Sequence, residues 1–315
     1  MCRIASISYL AILESDTVSD TVSDRKKAVI LASFGSSDKT EYENCLGSLK
    51  AAASIAFPDA EVFEAFTSDF IRKRIADAGK RIYSVVEQLQ QCRRDGFDEV
   101  FVQPTHLTPG KEYYDKIVFA LRDFVQSQNH SNMKVILGTT IFGCHDMPSF
   151  YADNIPPFRV PFKDSYEDDR EGLAMMCSTL APEKGEILAF MGHGSPDRHN
   201  PVYETLQRLA DEEGIPVVFG VLEKTDTPSL DDMICKLHGM GAKRVLLRPM
   251  LLTGGLHVKR EMLGDDKESF KSRLQHEGFE LRTDDRGLAS YPAYSDLLCR
   301  HIRVTYRRMI EARNV

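Results

Sequence analysis

Short apolar runs alternate with longer amphipathic stretches from Lys27 onward. The apolar runs are rich in Val, Ile, Leu and Phe and are bounded by turn-forming residues, as is typical of parallel strands that are buried on both faces. The amphipathic stretches place apolar residues at helical spacing. Because consecutive parallel strands are joined by helical crossovers, this alternation predicts an α/β fold.

The same plan occurs twice along the chain. The strands predicted in the first half are Ala28–Phe34, Glu61–Phe66, Glu99–Gln103 and Lys134–Gly138, with helices at about 41–57, 70–94 and 112–126. Those predicted in the second half are Ile187–Met191, Val217–Leu222, Arg244–Pro249 and Phe279–Arg282, with helices near 201–213, 229–240, 258–277 and 294–312. We therefore expect two similar lobes, each with a parallel sheet flanked by helices, and an active-site cleft between them.

Four segments follow from this plan. Residues 1–24 contain a tandem TVSD and are expected to be a flexible N-terminal extension. Residues 25–141 form the first lobe and residues 185–315 the second lobe. Residues 142–184 between them, rich in proline and charge, are predicted to be a connector or a lid, with a tolerated surface insertion as the alternative.

Individual motifs also repeat between the lobes. VILASFGSSD (29–38) corresponds to ILAFMGHGSPD (187–197), in which a strand ends in a Gly-Ser turn. DEVFVQPTHLTPGKEYYDKI (98–117) corresponds to KRVLLRPMLLTGGLHVKREM (243–262), an alignment that sets Glu112 against His257 and His106 against Leu251. Equivalent loops of the two lobes are thus expected to face one cleft.

Three residues of the second lobe follow directly after predicted strands. His193 lies between Gly192 and Gly194, His257 ends the run LLTGGLH, and Glu223 follows VVFGVL. Ligands of open α/β sheets bind at the carboxyl ends of strands. Imidazole and carboxylate suit a divalent first-row metal ion, and a partly filled protein shell leaves room for another ligand. The histidines could instead act as bases.

Simpler interpretations of these residues remain open at this point. His193 could be a turn residue, and Glu223 a solvated loop carboxylate beside Lys224. Glu112 could be an acid favoured at a helix N-terminus by the macrodipole. Ser195 is more readily a turn or cap residue than a nucleophile.

Composition excludes several classes of function. The 315 residues carry a net charge of -7 and no basic stripe, so no nucleic-acid partner is expected. No apolar run is long enough to cross a bilayer, so no membrane partner is expected. The seven scattered cysteines favour reduced thiols and a cytoplasmic location. Neither a phosphate-binding GxxxxGK motif nor GxGxxG is present, so neither ATP nor a nucleotide cofactor is expected.

As a set, these motifs resemble the anaerobic cobalt chelatases of cobalamin biosynthesis, the CbiK family of class II chelatases. The resemblance rests on GHGSPDRHNPVY, the Glu after VVFGVL, the His in RPMLLTGGLHVKREMLGDD, and the first-lobe segments VILASFGSS and PTHLTPGKEY. It runs from about Lys27 to the C-terminal helix. The loop EKTDTPSL is longer than the family pattern, and residues 142–171 are expanded.

The resemblance implies a two-lobed chelatase fold and ATP-independent insertion of Co2+ into sirohydrochlorin. It implies His193, Glu223 and His257 as metal ligands, and His193, His257 and Glu112 as catalytic groups. Sirohydrochlorin and a divalent metal ion are then the partners, and a homo-oligomer is an open alternative. Candidates for binding the tetrapyrrole carboxylates are Arg198, Arg248, Lys259 and Arg260.

Other functions remain as alternatives. Iron or nickel could replace cobalt, because selectivity among first-row metals depends on geometry and availability. A tetrapyrrole- or metal-binding protein without turnover would use the same residues. A phosphohydrolase with His193 as nucleophile would require an Arg-Gly constellation that the sequence lacks.

Overall fold

The structure is a computed structural model that describes residues 25–127, 133–143, 167–179, 182–196 and 199–313. The predicted extension (1–24) and residues 144–166 of the predicted connector lie outside the described residues. So do Arg198, His130 and His145.

Two four-stranded parallel sheets, with strand orders β2-β1-β3-β4 and β6-β5-β7-β8, organise the described chain. The first contains β1 (Lys27–Ser33), β2 (Ala60–Phe66), β3 (Glu99–Pro104) and β4 (Lys134–Leu137). The second contains β5 (Glu186–Gly192), β6 (Val217–Val221), β7 (Arg244–Pro249) and β8 (Glu280–Thr283). The predicted strands and the two-lobed α/β fold are confirmed. The central strands β1, β3, β5 and β7 are almost entirely buried, which explains their continuous apolar runs.

Helices cover both faces of each sheet. In the first lobe, α1 (Lys39–Glu41) continues through a π-helical turn (Tyr42–Gly47) into α2 (Ser48–Ala56). The other helical elements of this lobe are α3 (Asp69–Asp77), α4 (Val85–Arg94), α5 (Lys111–Tyr113), a π-helical turn (Tyr114–Val118) and α6 (Phe119–Ser127). Those that follow are α7 (Glu167–Thr179), α8 (Val202–Glu213), α9 (Leu230–Gly239), a π-helical turn (Val258–Met262), α10 (Phe270–His276), a 3-10 turn (Leu288–Ser290) and α11 (Pro292–Arg313).

The single helix predicted over residues 70–94 is wrong. The chain leaves helical geometry after Asp77, and Gly79 has a φ of 76°. Tyr83 then lies in extended backbone, where its carbonyl accepts a hydrogen bond from the Phe66 amide at 2.9 Å. A capping box between Ser84 and Glu87 starts the second helix. An amphipathic period continues across this break, so periodicity alone did not detect it.

The helix predicted over residues 258–277 is also interrupted. A β-carbon at Gly264 would lie 2.1 Å from the carbonyl oxygen of Arg260, so the tight turn there excludes a side chain. Ser269 then caps a new helix by accepting a hydrogen bond from the Ser272 amide at 3.1 Å. Gly264 and Ser269 were the local signals of this break.

One hydrophobic core joins the two lobes. Leu31 and Phe101 of the first sheet pack in the same cluster as Phe190 and Phe219 of the second. The long helix α11 reaches across, and its Tyr294 hydroxyl donates a hydrogen bond to the carbonyl of Thr105 at 2.9 Å. Separate clusters cover the other face of each sheet.

Helix α7 belongs to this shared core, although it lies within the predicted connector. Its Leu173 and Met176 side chains are fully buried there. The lid role and the lobe boundaries at 142 and 184 stay predictions. Across the described ranges, no helix combines the length and apolarity needed to span a membrane.

Candidate active site

The loops after β5 and β6 hold His193 and Glu223 side by side. The Leu222 amide donates to the carbonyl of Gly192 at 3.0 Å, and the Glu223 amide donates to that of His193 at 3.0 Å. These bonds extend the parallel pairing of β5 and β6 by two residues beyond the strands. Backbone hydrogen bonds therefore place both candidate residues at the carboxyl edge of the sheet, as the sequence predicted.

The glycines on both sides of His193 are required by close packing. A β-carbon at Gly192 would lie 2.2 Å from the ring of Tyr203. Gly194 has a φ of 75°, and a β-carbon there would lie 3.1 Å from the β-carbon of Glu223. Since side chains at these positions would push the two loops apart, the glycines allow His193 and Glu223 to approach each other.

The structure brings the three predicted metal ligands together. The rings of His193 and His257 meet edge to face with their centroids 5.0 Å apart. The Nδ1 atom of His193 lies 4.0 Å from Oε1 of Glu223. The side chains are partly exposed, at 43% for His193, 29% for Glu223 and 50% for His257. Within the described ranges, no three ligating side chains already stand at the spacing of a bound ion.

An acceptor atom lies close to Nδ1 of each ring. Nδ1 of His193 lies 3.2 Å from the carbonyl oxygen of Gly194, which can only accept, so the proton of a neutral ring is on Nδ1. Nδ1 of His257 lies 3.3 Å from Oε2 of Glu261, one helical turn further on. Nε2 of His193 therefore keeps its lone pair, which a metal ion or a proton would take.

Sequence reasoning missed Glu261. The residue belongs to the π-helical turn Val258–Met262, and its carboxylate reaches back toward His257. Its spacing of four residues from His257 was the available signal, because residues at that distance share a helix face.

A buried carboxylate, Asp226, ties these loops together. Its side chain is fully buried, and Oδ2 accepts from the Ser195 amide at 2.8 Å. Oδ1 accepts from the Asn200 amide at 3.1 Å and lies 2.8 Å from Nδ1 of His199. The Asp226 amide in turn donates to the carbonyl of Glu223 at 3.0 Å. Asp226 thus links the loop of His193 to the loop of Glu223.

Neither Asp226 nor His199 was singled out from the sequence. The signal was the extra length of the loop EKTDTPSL, which supplies the aspartate.

A protein-family model described as cobalt chelatase (CbiK) matches residues 27–307. The chain belongs to the CbiK family of cobalt chelatases. The resemblance stated from the motifs is therefore confirmed over nearly the whole chain.

Two curated relatives are similar along most of their length. The chain is 29% identical over 278 residues to "Sirohydrochlorin cobaltochelatase CbiKC" of Nitratidesulfovibrio vulgaris, covering 88% of this chain and 89% of that protein. It is 26% identical over 287 residues to "Sirohydrochlorin cobaltochelatase" of Salmonella typhimurium, covering 91% of this chain and 98% of that protein.

Solved structures share the fold. SirB from Bacillus subtilis with Fe3+ aligns with a TM-score of 0.58 and 14% identity, over 89% of this chain and 95% of that one. The sirohydrochlorin chelatase SirB from Bacillus subtilis subspecies spizizenii in complex with cobalt gives 0.55 and 13%, over 90% and 96%. The chelatase-like architecture predicted from the sequence is thereby confirmed.

Glu112 lies in the first turn of α5. In the alignment of the two lobes it corresponds to His257. It is partly buried, and among the described residues its Oε2 atom is buried without a hydrogen-bond partner. In the described part of the chain, no hydrogen bond or ion pair joins it to His193 or His257, so its catalytic role stays a prediction.

His106 does not join the three ligands. Its two ring nitrogens are buried and, in the described part of the chain, make no hydrogen bond. Burial lowers its pKa from the usual 6.5 to about 4, because a charged ring would be desolvated there.

Arg248 was wrongly considered for binding carboxylates at the cleft. It is fully buried, with its guanidinium 5.7 Å from the ring centre of Phe190 and 5.1 Å from that of Tyr291. Burial lowers its pKa. A side chain enclosed in the shared core is not accessible to the edge of a tetrapyrrole. Lys259 and Arg260 are exposed, and Lys259 lies 3.6 Å from Asp38 of the first lobe.

Proposed function

We propose that this protein inserts Co2+ into sirohydrochlorin without consuming ATP. The observation that carries the proposal is the pair of imidazoles, His193 and His257, 5.0 Å apart beside Glu223 in a chain of the CbiK family. The two curated relatives, named sirohydrochlorin cobaltochelatases, support the same substrate.

In this proposal, residues of the second lobe bind the metal ion. The Nε2 atoms of His193 and His257 are the natural first ligands, and the carboxylate of Glu223 neutralises part of the charge of the ion. Partial exposure of all three side chains leaves coordination positions for water and for the tetrapyrrole nitrogens. An ion held by few protein ligands can be handed over stepwise to the macrocycle.

Insertion must also remove two protons. The metal-free macrocycle carries two N–H groups, each of which must lose its proton as a Co–N bond forms. A neutral imidazole that releases the metal can accept such a proton on Nε2, and the partner carboxylates Glu223 and Glu261 stabilise the resulting imidazolium. Glu112 of the first lobe is proposed to assist deprotonation or to position the ring. Metal ligation and proton uptake both use the lone pair of a neutral imidazole.

Two further parts of the proposal rest on the sequence. It lacks a phosphate-binding motif, which supports insertion driven by metal–nitrogen bond formation alone. The cytoplasm is the proposed location, because the scattered cysteines favour a reducing compartment, and those described are unpaired.

The test is turnover of sirohydrochlorin with Co2+, Fe2+ or Ni2+ in parallel and without ATP, followed by absorption spectra and by the mass of the product. His193→Ala and His257→Ala should each lose activity by about a hundredfold or more, the usual scale for removing a catalytic acid–base group. His238→Ala is the matched control, since His238 is half-exposed and pairs with Glu277 away from these loops. Full activity in both site variants, or binding of the macrocycle without metal insertion by the wild type, would refute the proposal.

A further inference from the structure

Two exposed apolar side chains lie on loops that contact each other near the metal ligands. Phe34 is 47% exposed and directly follows β1, and Leu256 is 63% exposed and directly precedes His257. The remaining large apolar residues with comparable exposure in the described ranges are Ile55, Phe70 and Met240. Single exposed apolar side chains are common on proteins, so exposure alone does not indicate a binding surface. The location of Phe34 and Leu256 is what suggests a function.

Phe34 is the first-lobe counterpart of His193. The Ser68 amide donates to the carbonyl of Phe34 at 3.3 Å, as the Glu223 amide donates to that of His193 at 3.0 Å. A glycine at positive φ follows each of them, Gly35 at 101° and Gly194 at 75°. The backbone therefore presents the phenyl ring of the first lobe as it presents the imidazole of the second.

Tight packing fixes this turn. A β-carbon at Gly35 would lie 2.5 Å from the ring of Phe66, which fills the space beneath the loop. Gly35 therefore packs directly on Phe66, while Phe34 beside it is 47% exposed. A ligand that covered this ring would bury apolar surface that the folded chain leaves in contact with water.

A hydrogen bond and an ion pair between the lobes connect the segment after Phe34 to the segment that carries Leu256. The Gly254 amide donates to Oε2 of Glu41 at 2.7 Å, and Nζ of Lys259 lies 3.6 Å from Oδ2 of Asp38. These contacts hold the segment that carries Leu256 and His257 against the segment that follows Phe34. The segments that carry the two apolar side chains therefore lie close to each other, and one of them also carries His257.

We propose that Phe34 and Leu256 form an apolar contact surface for the face of the tetrapyrrole macrocycle. This inference rests on the proposed function and names the residues that hold the organic substrate. A macrocycle is apolar on its faces and carries its carboxylates at the rim, so an aromatic and an aliphatic side chain suit the face. The second lobe then supplies the metal ion from His193 and His257, while the first lobe supplies the surface on which the ring rests.

The test separates the two substrates. Phe34→Ala and Leu256→Ala should each raise the Kd for metal-free sirohydrochlorin and its KM by about tenfold, the scale of losing one aromatic or aliphatic contact. The KM for Co2+ should be unchanged. Phe34→Tyr should bind the macrocycle like the wild type, because it keeps the ring. Ile55→Ala, which removes an 82% exposed side chain from α2, is the control that should change nothing.

Macrocycle binding of wild-type strength in both folded alanine variants, with unfolding temperatures unchanged, would overturn the inference. So would an equal loss of binding in Ile55→Ala. The outcome is independent of turnover: a wild type that binds sirohydrochlorin but does not metallate it refutes the proposed function, while the Kd values still decide the contact surface. A wild type that does not bind the macrocycle refutes both.

Discussion

At the scale of single residues, the neighbours of the two histidines determine what their rings can do. His257 has a carboxylate, Glu261, 3.3 Å from Nδ1, whereas His193 has a backbone carbonyl at 3.2 Å. A carboxylate partner makes an imidazole a stronger ligand and a better proton acceptor than a carbonyl does. The negative charge of Glu261 is therefore expected to favour a metal ion on His257.

Glu261→Gln should weaken metal use about tenfold, since removal of a carboxylate partner behind a histidine ligand typically costs 10- to 100-fold in metal affinity. The measurement is the KM for Co2+ at saturating sirohydrochlorin. Glu277→Gln is a matched control, because Glu277 stands 3.3 Å from Nε2 of His238 in the same kind of pair on another surface. If both variants keep the wild-type KM for Co2+, Glu261 has no role in orienting the ligand.

His106 predicts a pH dependence of stability. Its folded pKa of about 4 lies below the usual 6.5, so the unfolded chain takes up a proton that the folded chain refuses. No stability is lost above pH 6.5, and the loss grows as the pH falls from 6.5 to about 4. Its full size is at most about 3 kcal/mol.

His106→Leu should remove this acid sensitivity, because leucine occupies the corresponding position, Leu251, in the second lobe. The check is the free energy of unfolding in urea at pH 7.5 and pH 5. The variant should lose less stability than the wild type between these two values. An unchanged difference between the two pH values would show that His106 is not the group responsible.

At the scale of elements, the loops after β5 and β6 form one unit because Asp226 binds both. A buried carboxylate that accepts several backbone N–H bonds is costly to alter, because each donor would lose its partner. The break between α3 and α4 is a second example. The capping box at Ser84 starts a new helix there, although an apolar helical period continues through residues 78–84. In both places a few hydrogen bonds of polar side chains determine the path of the backbone.

Asp226→Asn should raise the KM for Co2+ more than the KM for sirohydrochlorin, because the amide nitrogen cannot accept the bonds that one carboxylate oxygen accepts. We expect a change of about tenfold, equal to roughly 1.4 kcal/mol. Steady-state kinetics with each substrate varied in turn measure it. Asp232→Asn, in the exposed cap of α9, controls for a general loss of a carboxylate.

Equal increases in the two KM values for Asp226→Asn would indicate general destabilisation rather than displacement of His193 and Glu223. Thermal unfolding of the same samples identifies that case directly.

At the scale of the whole molecule, the lobes share a core although the sequence describes them as repeats. Phe101 and Phe190 belong to one cluster, and Tyr294 of α11 bonds to Thr105 of the first lobe. Extensive burial between the lobes couples their unfolding. We therefore expect the two lobes, with the loops of the proposed ligands, to unfold as one cooperative unit.

The chain has no tryptophan, so one can be introduced into each lobe as a reporter. Phe63→Trp reports on the first lobe and Phe279→Trp on the second, since each packs against the outer cluster of its own lobe. Both should give the same midpoint in urea, coincident with circular dichroism. Two separate midpoints would contradict the shared core.

The sequence by itself determined the strands, the repeated plan and the positions of His193, Glu223 and His257. These features are local: a buried strand is a run of apolar residues, and its end is marked by glycines and a polar residue within a few positions. His193 and Glu223 are 30 positions apart in sequence, yet each is recognisable from its own strand end.

Only the tertiary structure decided which side chains meet. Asp226 accepts hydrogen bonds from Ser195 and Asn200, which are distant from it in sequence. Arg248 lies between the aromatic rings of Phe190 and Tyr291, which belong to other parts of the chain. Phe34 became a candidate contact for the macrocycle once its backbone bonds matched those of His193. Such contacts depend on how loops and lobes pack over long sequence separations, which local periodicity does not encode.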